Sequence, residues 1–139
     1  MGKHRKYDLA ERTAKFAEAV LDLANSLPRG AVTNPLISQL VRAATSVGAN
    51  ICEANDAVSR KDFRNKIGTC RKEASETKYW LRMIASAVPE VAARARTLWK
   101  EAHELHLILA KSFSTAGRAI ETPLSKDRDE GGHPSALNI

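Results

Sequence analysis

Cysteine, glycine, proline and aromatic residues are all scarce in this sequence. Two cysteines, Cys52 and Cys70, among 139 residues do not make a secreted disulfide scaffold. Seven glycines and five prolines exclude a collagen-like or low-complexity chain. No apolar run reaches the ~18 residues of a membrane span. The opening residues, MGKHRKYDLAERTAKF, are basic and lack the apolar stretch of a secretory signal. The cytoplasm is the expected compartment, with no membrane partner. No segment alternates apolar and polar residues between turn signals, so no strand is expected. No P-loop, dinucleotide-binding glycine pattern, nucleophile elbow or paired-carboxylate pattern occurs. No catalytic residue and no cofactor is expected on that ground.

What is present is helical periodicity. Apolar residues make up 43% and charged residues 27%, the balance of an ordinary globular chain. Four apolar patterns follow one another at steps of three and four. The first reads Leu9, Thr13, Phe16, Val20, Leu23, Leu27, and Pro28 and Gly30 stop it. The second opens at Asn34-Pro35, a cap with a first-turn proline, and reads Leu36, Leu40, Ala44, Val47, Ile51, Ala54. Ser59 with Asp62 three residues on forms an acidic capping box for the third. That pattern reads Phe63, Ile67, Cys70, Ala74, Thr77, Leu81, Ile84. The fourth starts near Pro89-Glu90 and reads Val91, Ala95, Leu98, Ala102, Leu105, Leu109, Ser112, Ala116, Ile120, with Pro123 beyond it. Short connectors make consecutive helices antiparallel neighbours. The expected fold is all-α, an antiparallel up-down-up-down four-helix bundle over residues 1–121. Residues 122–139 read as a disordered polar tail.

Charge is distributed unevenly. Lysine and arginine number 22 against 16 acids, a net of +6. Residues 1–6 carry Lys3, Arg5 and Lys6 with no acid. Residues 59–86 carry Arg60, Lys61, Arg64, Lys66, Arg71, Lys72, Lys78 and Arg82 against Asp62, Glu73 and Glu76. At 100° per residue, Arg60, Arg64, Arg71, Lys78 and Arg82 fall on one flank of the third core stripe. The acids fall on the other. Such a cationic edge can follow a phosphate backbone. Equally, it can pair with acids of a neighbouring helix or subunit, for which Glu11, Glu18 and Asp22 are the candidates. Among aromatics, Tyr79 and Trp80 alone accompany the stripe in sequence, so base stacking is not strongly indicated.

Other constellations have plain readings. Gly48 in the small-residue second helix calls for close packing, because glycine costs about 1 kcal/mol in a helix interior. Trp99, His106 and Phe113 repeat at heptad spacing beside the fourth core stripe, as a wide core or a subunit interface would require. His103 and His106 lack the Glu three residues earlier that a di-metal bundle uses, so no metal site is expected. Cys52 and Cys70 read as buried thiols on the apolar faces of the second and third helices.

Across the second and third helices lies an ordered set of residues. It comprises Gln39, Arg42, Ala43, Ser46, Asn50, Ile51 and Glu53, then Ser59, Asp62, Phe63, Lys66, Lys72, Glu73, Glu76, Thr77, Tyr79, Trp80 and Leu81. This set resembles the four helix bundle protein family, the intervening-sequence proteins of bacterial 23S rRNA genes. That family also includes the accessory protein of diversity-generating retroelements. The family's usual Asn-Ile-Ala-Glu-Gly stands here as Asn50-Ile51-Cys52-Glu53-Ala54, a small-for-small change. The resemblance implies a four-helix protomer and a ring-shaped homo-oligomer, commonly a pentamer. For members of the retroelement type it further implies association with a reverse transcriptase and with nucleic acid through basic surfaces. The polar motif residues fit a fixed hydrogen-bonded network, between helices or across a subunit boundary.

Residues and resemblance together point to a non-enzymatic, homo-oligomeric bundle that binds RNA or DNA non-specifically. Arg60, Arg64, Arg71, Lys78 and Arg82 are the expected contacts, with Lys3, Arg5 and Lys6 as an arm. The rival expectation is a protein-interaction scaffold whose cationic stripe serves subunit contacts.

Overall fold

The computed structural model describes residues 8–121, with Ile120 and Glu121 described by their backbone alone. Within them lie four α-helices: α1 (Leu9–Ser26), α2 (Thr33–Asn55), α3 (Arg60–Ala87) and α4 (Ala92–Glu121). A single 3-10 turn, Pro89–Val91, precedes α4. At 1.5 Å per residue the helices run from about 27 Å to about 45 Å. Each helix packs on the next, and α1 also packs on α4, so the four close into a bundle with α1 diagonal to α3. The arm residues Lys3, Arg5 and Lys6 and the tail 122–139 lie outside the described residues.

The core forms where the period-3.6 stripes meet. All seven apolar positions of α3, from Phe63 to Ile84, are buried. So are Leu9, Thr13, Phe16, Val20 and Leu23 of α1, and Leu40, Ala44, Val47, Ile51 and Ala54 of α2. From α4 come Ala95, Ala102, Leu105, Leu109 and Ser112. The mid-helix buried threonine hydroxyls are satisfied within their own helices. Thr13 donates to the Leu9 carbonyl at 2.6 Å and Thr77 to the Glu73 carbonyl at 2.7 Å. No unpaired hydroxyl from either is therefore left in the core. Gly48 has the packing role expected of it. A Cβ there would sit 3.2 Å from the Thr13 hydroxyl, so glycine lets α2 approach α1.

The helix ends follow the sequence signals with two differences. Asp8 caps α1 by accepting from the Glu11 N–H. Ser59 caps α3 by accepting from the Asp62 N–H at 3.0 Å, and the Asp62 carboxylate accepts in return from Val58 rather than from Ser59. Asn34, in contrast, does not cap α2. Its side chain reaches back to accept from the Gly30 N–H at 3.1 Å, while the Thr33 hydroxyl donates to the Pro28 carbonyl at 2.6 Å. That bonding winds the chain helically two residues earlier, from Thr33. Pro35 still falls in the first turn, where a missing N–H costs nothing.

Candidate nucleic-acid interface

The two flanks of α3 have opposite electrostatic character. On the side facing α2, cations meet acids. Arg42 of α2 donates to Glu73 at 3.2 Å, to Glu76, and to the Gln39 amide oxygen at 3.1 Å. Trp80 Nε1 donates to the same Glu76 carboxylate at 3.0 Å. Further along, Lys66 pairs with Glu53 at 3.0 Å, and that bond raises the Lys66 pKa above its ordinary range. Asn50 Nδ2 donates to the Ser46 carbonyl at 2.9 Å, and Lys72 is exposed. Gln39, Arg42, Glu73, Glu76 and Trp80 thus form one network between α2 and α3, with Lys66–Glu53 a separate pair across the same seam and Asn50 bonded within α2.

On the side facing α4, cations meet aromatic rings. The Arg64 guanidinium lies over the Phe113 ring, its Cζ 3.8 Å from the centroid, and Nε donates to the Phe113 carbonyl at 3.2 Å. Arg71 approaches the same ring, with Cζ 4.7 Å from the centroid. Two glycines make room. A Cβ on Gly68 would meet Phe113 at 2.9 Å, and one on Gly117 would meet Arg64 Nε at 2.8 Å. Lys78 Nζ stands 3.1 Å from His103 Nδ1 and 5.3 Å from the Trp99 centroid. Trp99 stacks on His103 with centroids 5.2 Å apart. His106 Nδ1 is buried without a hydrogen-bond partner. Burial, then the charges of Lys78, Arg71 and His103, lower the His106 pKa and favour the neutral ring. Arg60 is half-buried at the N-terminus of α3, and Arg82 is exposed at the other end of the row. No carboxylate among the described residues lies within ion-pair distance of Arg64, Arg71, Lys78 or Arg82.

Several expectations change accordingly. Within one chain Glu11, Glu18 and Asp22 do not partner the stripe. They stand on α1, diagonal to α3, and Glu11 pairs with Lys15 of its own helix at 3.9 Å. Besides α2, the helix that α1 reaches is α4, where Arg12 binds Glu101 and Glu104, each at 2.7 Å. The stripe does run with aromatic rings, supplied by α4. Tyr79 and Trp80 instead contact each other edge-on, with Trp80 on the α2 side. Phe113 packs against the core, while Trp99 remains 36% exposed. Cys70 is buried, but Cys52 is exposed. The mid-helix glycines 68 and 117 were the sequence signal for the Phe113 stack. The Arg12 clamp had no such signal.

The interior offers little for metal chemistry. Its buried polar groups are Thr13, Thr33, Thr77 and Ser112. Among the described residues no group of three or more His, Cys, Asp or Glu side chains is placed to hold a metal ion. No helix among them is long and apolar enough to cross a membrane.

With this geometry in view, the family can be assigned. The family model of the 23S rRNA-intervening sequence protein matches residues 5–111. The chain belongs to that family. A crystal structure of a protein of unknown function from the S23 ribosomal protein family, from Bacteroides thetaiotaomicron VPI-5482, is similar at 29% identity. The match covers 75% of this chain and 96% of that one, with a TM-score of 0.67. No curated protein matches the chain. The matched region holds all of α1, α2 and α3, and so both flanks of α3.

Proposed function

We propose that this protein is a non-enzymatic helical bundle that binds RNA or DNA through phosphate contacts along the α3–α4 edge. The observation that carries the reading is the contrast between the two flanks of α3. On the α2 side Arg42 and Lys66 meet Glu53, Glu73 and Glu76, whereas Arg64, Arg71, Lys78 and Arg82 have no acid partner. Arg64, Arg71 and Lys78 recur every seven residues, about 10.5 Å apart along the axis, close to the rise of three nucleotides in one strand of B-DNA. Contacts of this kind position a strand without reading its bases. The resemblance to retroelement accessory proteins extends the reading. The bundle acts in the cytoplasm as a ring-shaped homo-oligomer, a pentamer, and as an accessory to a reverse transcriptase.

Fluorescence anisotropy of labelled RNA and DNA, from about 50 to 300 mM salt, tests the contact. Binding is expected to be micromolar or tighter at the lowest salt, with a steep log–log salt slope. Changing Arg64, Arg71 and Lys78 together to Gln should reduce that slope by about 2–3, while oligomer size and helicity hold. Loss of the oligomer in that variant assigns the stripe to subunit contacts and favours the scaffold reading. Absence of binding at about 50 mM salt ends the nucleic-acid reading.

A further inference from the structure

At the α3–α4 turn the cationic edge opens into a pocket of about 170 Å³. Its floor is small and apolar, formed with Ala85 of α3 and Ala92 and Ala95 of α4. Arg82 and Arg96 bring one guanidinium from each helix, and Trp99 supplies an aromatic surface. No acidic side chain lines it. The volume is below the ~300–1,000 Å³ of a site for a drug-sized ligand. Space of that size takes one flat ring system rather than a folded polymer. Trp99 is held from the C-terminal side by His103, one turn along α4, and the pocket lies one turn back. The indole is thereby supported and yet remains partly exposed.

The pocket continues the row already described. From the turn inward run Arg82 and Arg96, then Trp99, then Lys78 with His103, then Arg71, Phe113 and Arg64. Cations and rings together are the chemistry of single-strand platforms, where phosphates follow the charges and unpaired bases stack on the rings. A duplex keeps its bases inside its own stack and offers the pocket nothing flat to receive.

We propose that this pocket receives one unpaired base of single-stranded nucleic acid, stacked on Trp99, with the flanking phosphates at Arg82 and Arg96. The inference rests on the phosphate-binding reading above and narrows it to single strands. It assigns Arg96 and Trp99 to the site, neither of which belongs to the α3 stripe.

The test uses the full chain and three oligonucleotides of equal length: a single strand with one central 2-aminopurine, the same strand with an abasic residue there, and the corresponding duplex. The unmodified chain should bind the base-bearing strand more tightly than the other two, with loss of 2-aminopurine emission on binding. Trp99→Ala should weaken single-strand binding about 5- to 100-fold, leave duplex binding unchanged and abolish the emission change. Trp99→Phe should restore most of the affinity. The inference is overturned if the abasic and base-bearing strands bind the unmodified chain alike and Trp99→Ala affects neither. The phosphate reading still stands in that outcome if the triple Gln variant weakens both strands. Failure of every oligonucleotide to bind at about 50 mM salt overturns both readings together.

Discussion

Arg64 lies over Phe113, its guanidinium carbon 3.8 Å from the ring centroid, and the absence of a side chain at Gly68 is what admits the ring. A methyl at position 68 would stand 2.9 Å from Phe113 Cε1 and must push the ring outward. Gly68→Ala gains about 1 kcal/mol of helix propensity. Against this stand overpacking, typically about 1–3 kcal/mol, and weakened cation–ring contacts of ~0.5–1 kcal/mol each at Arg64 and Arg71. The expected net is a loss of about 1–4 kcal/mol, seen as a fall of about 3–4 °C in Tm for each kcal/mol. Gly117→Ala displaces the Arg64 head group from Phe113, a loss that the ~1 kcal/mol gain in helix propensity roughly offsets, so Tm should be nearly unchanged.

Phe63→Ala tests the core face of α3. Phe63 is buried against the core cluster, so the large-to-small change should cost about 3–5 kcal/mol in urea unfolding. A variant as stable as the parent would contradict the packing described here.

Arg42 joins Glu73 and Glu76 across the α2–α3 seam while partly in water. A double-mutant cycle between Arg42→Ala and Glu73→Ala should return a coupling of about 0.5–1 kcal/mol. Raising salt from about 0.1 to 1 M, where the Debye length falls from ~10 to ~3 Å, should shrink it. A salt-independent coupling would assign the pair to packing instead.

Thiol chemistry should separate the two cysteines. An aromatic disulfide reagent should label the exposed Cys52 in the folded protein and reach Cys70 only after denaturation. Burial pushes the Cys70 thiol from its ordinary 9.0 up to about 12. Below pH 9 both folded and unfolded states keep the proton, and this group makes stability independent of pH. Between pH 9 and 12 the unfolded thiol ionises and the folded one does not, so stability should fall as pH rises. Urea midpoints measured across that window should decline in the parent and decline less in Cys70→Ala.

Burial was legible in the sequence because it depends on one helix at a time. The α3 positions Phe63 through Ile84 could be set by period alone, since the bundle buries one stripe per helix. Partners were less legible because they depend on the order of helices in space. Glu11, Glu18 and Asp22 have the right sign to meet the stripe, but within one chain α1 stands diagonal to α3 and packs on α2 and, through Arg12, on α4. Phe113 and Trp99 look like interface or core residues to a periodicity argument. Only the docking of α4 on α3 makes Phe113 the seat of Arg64 and Arg71. Cys52, small and uncharged beside buried Ile51, gave no sign of which way it turns. Asn34 carried a capping signature that its bond to Gly30 diverts.

The separation of neutralised and unneutralised cations on opposite flanks of α3 has a kinetic consequence. It gives the bundle of described residues a transverse electric moment. A polyanion approaching from any direction exerts a torque that turns the α3–α4 edge towards it before contact. Association should therefore be faster than random orientation permits, and salt should slow arrival as well as weaken the bound state, since the Debye length sets how far that torque reaches.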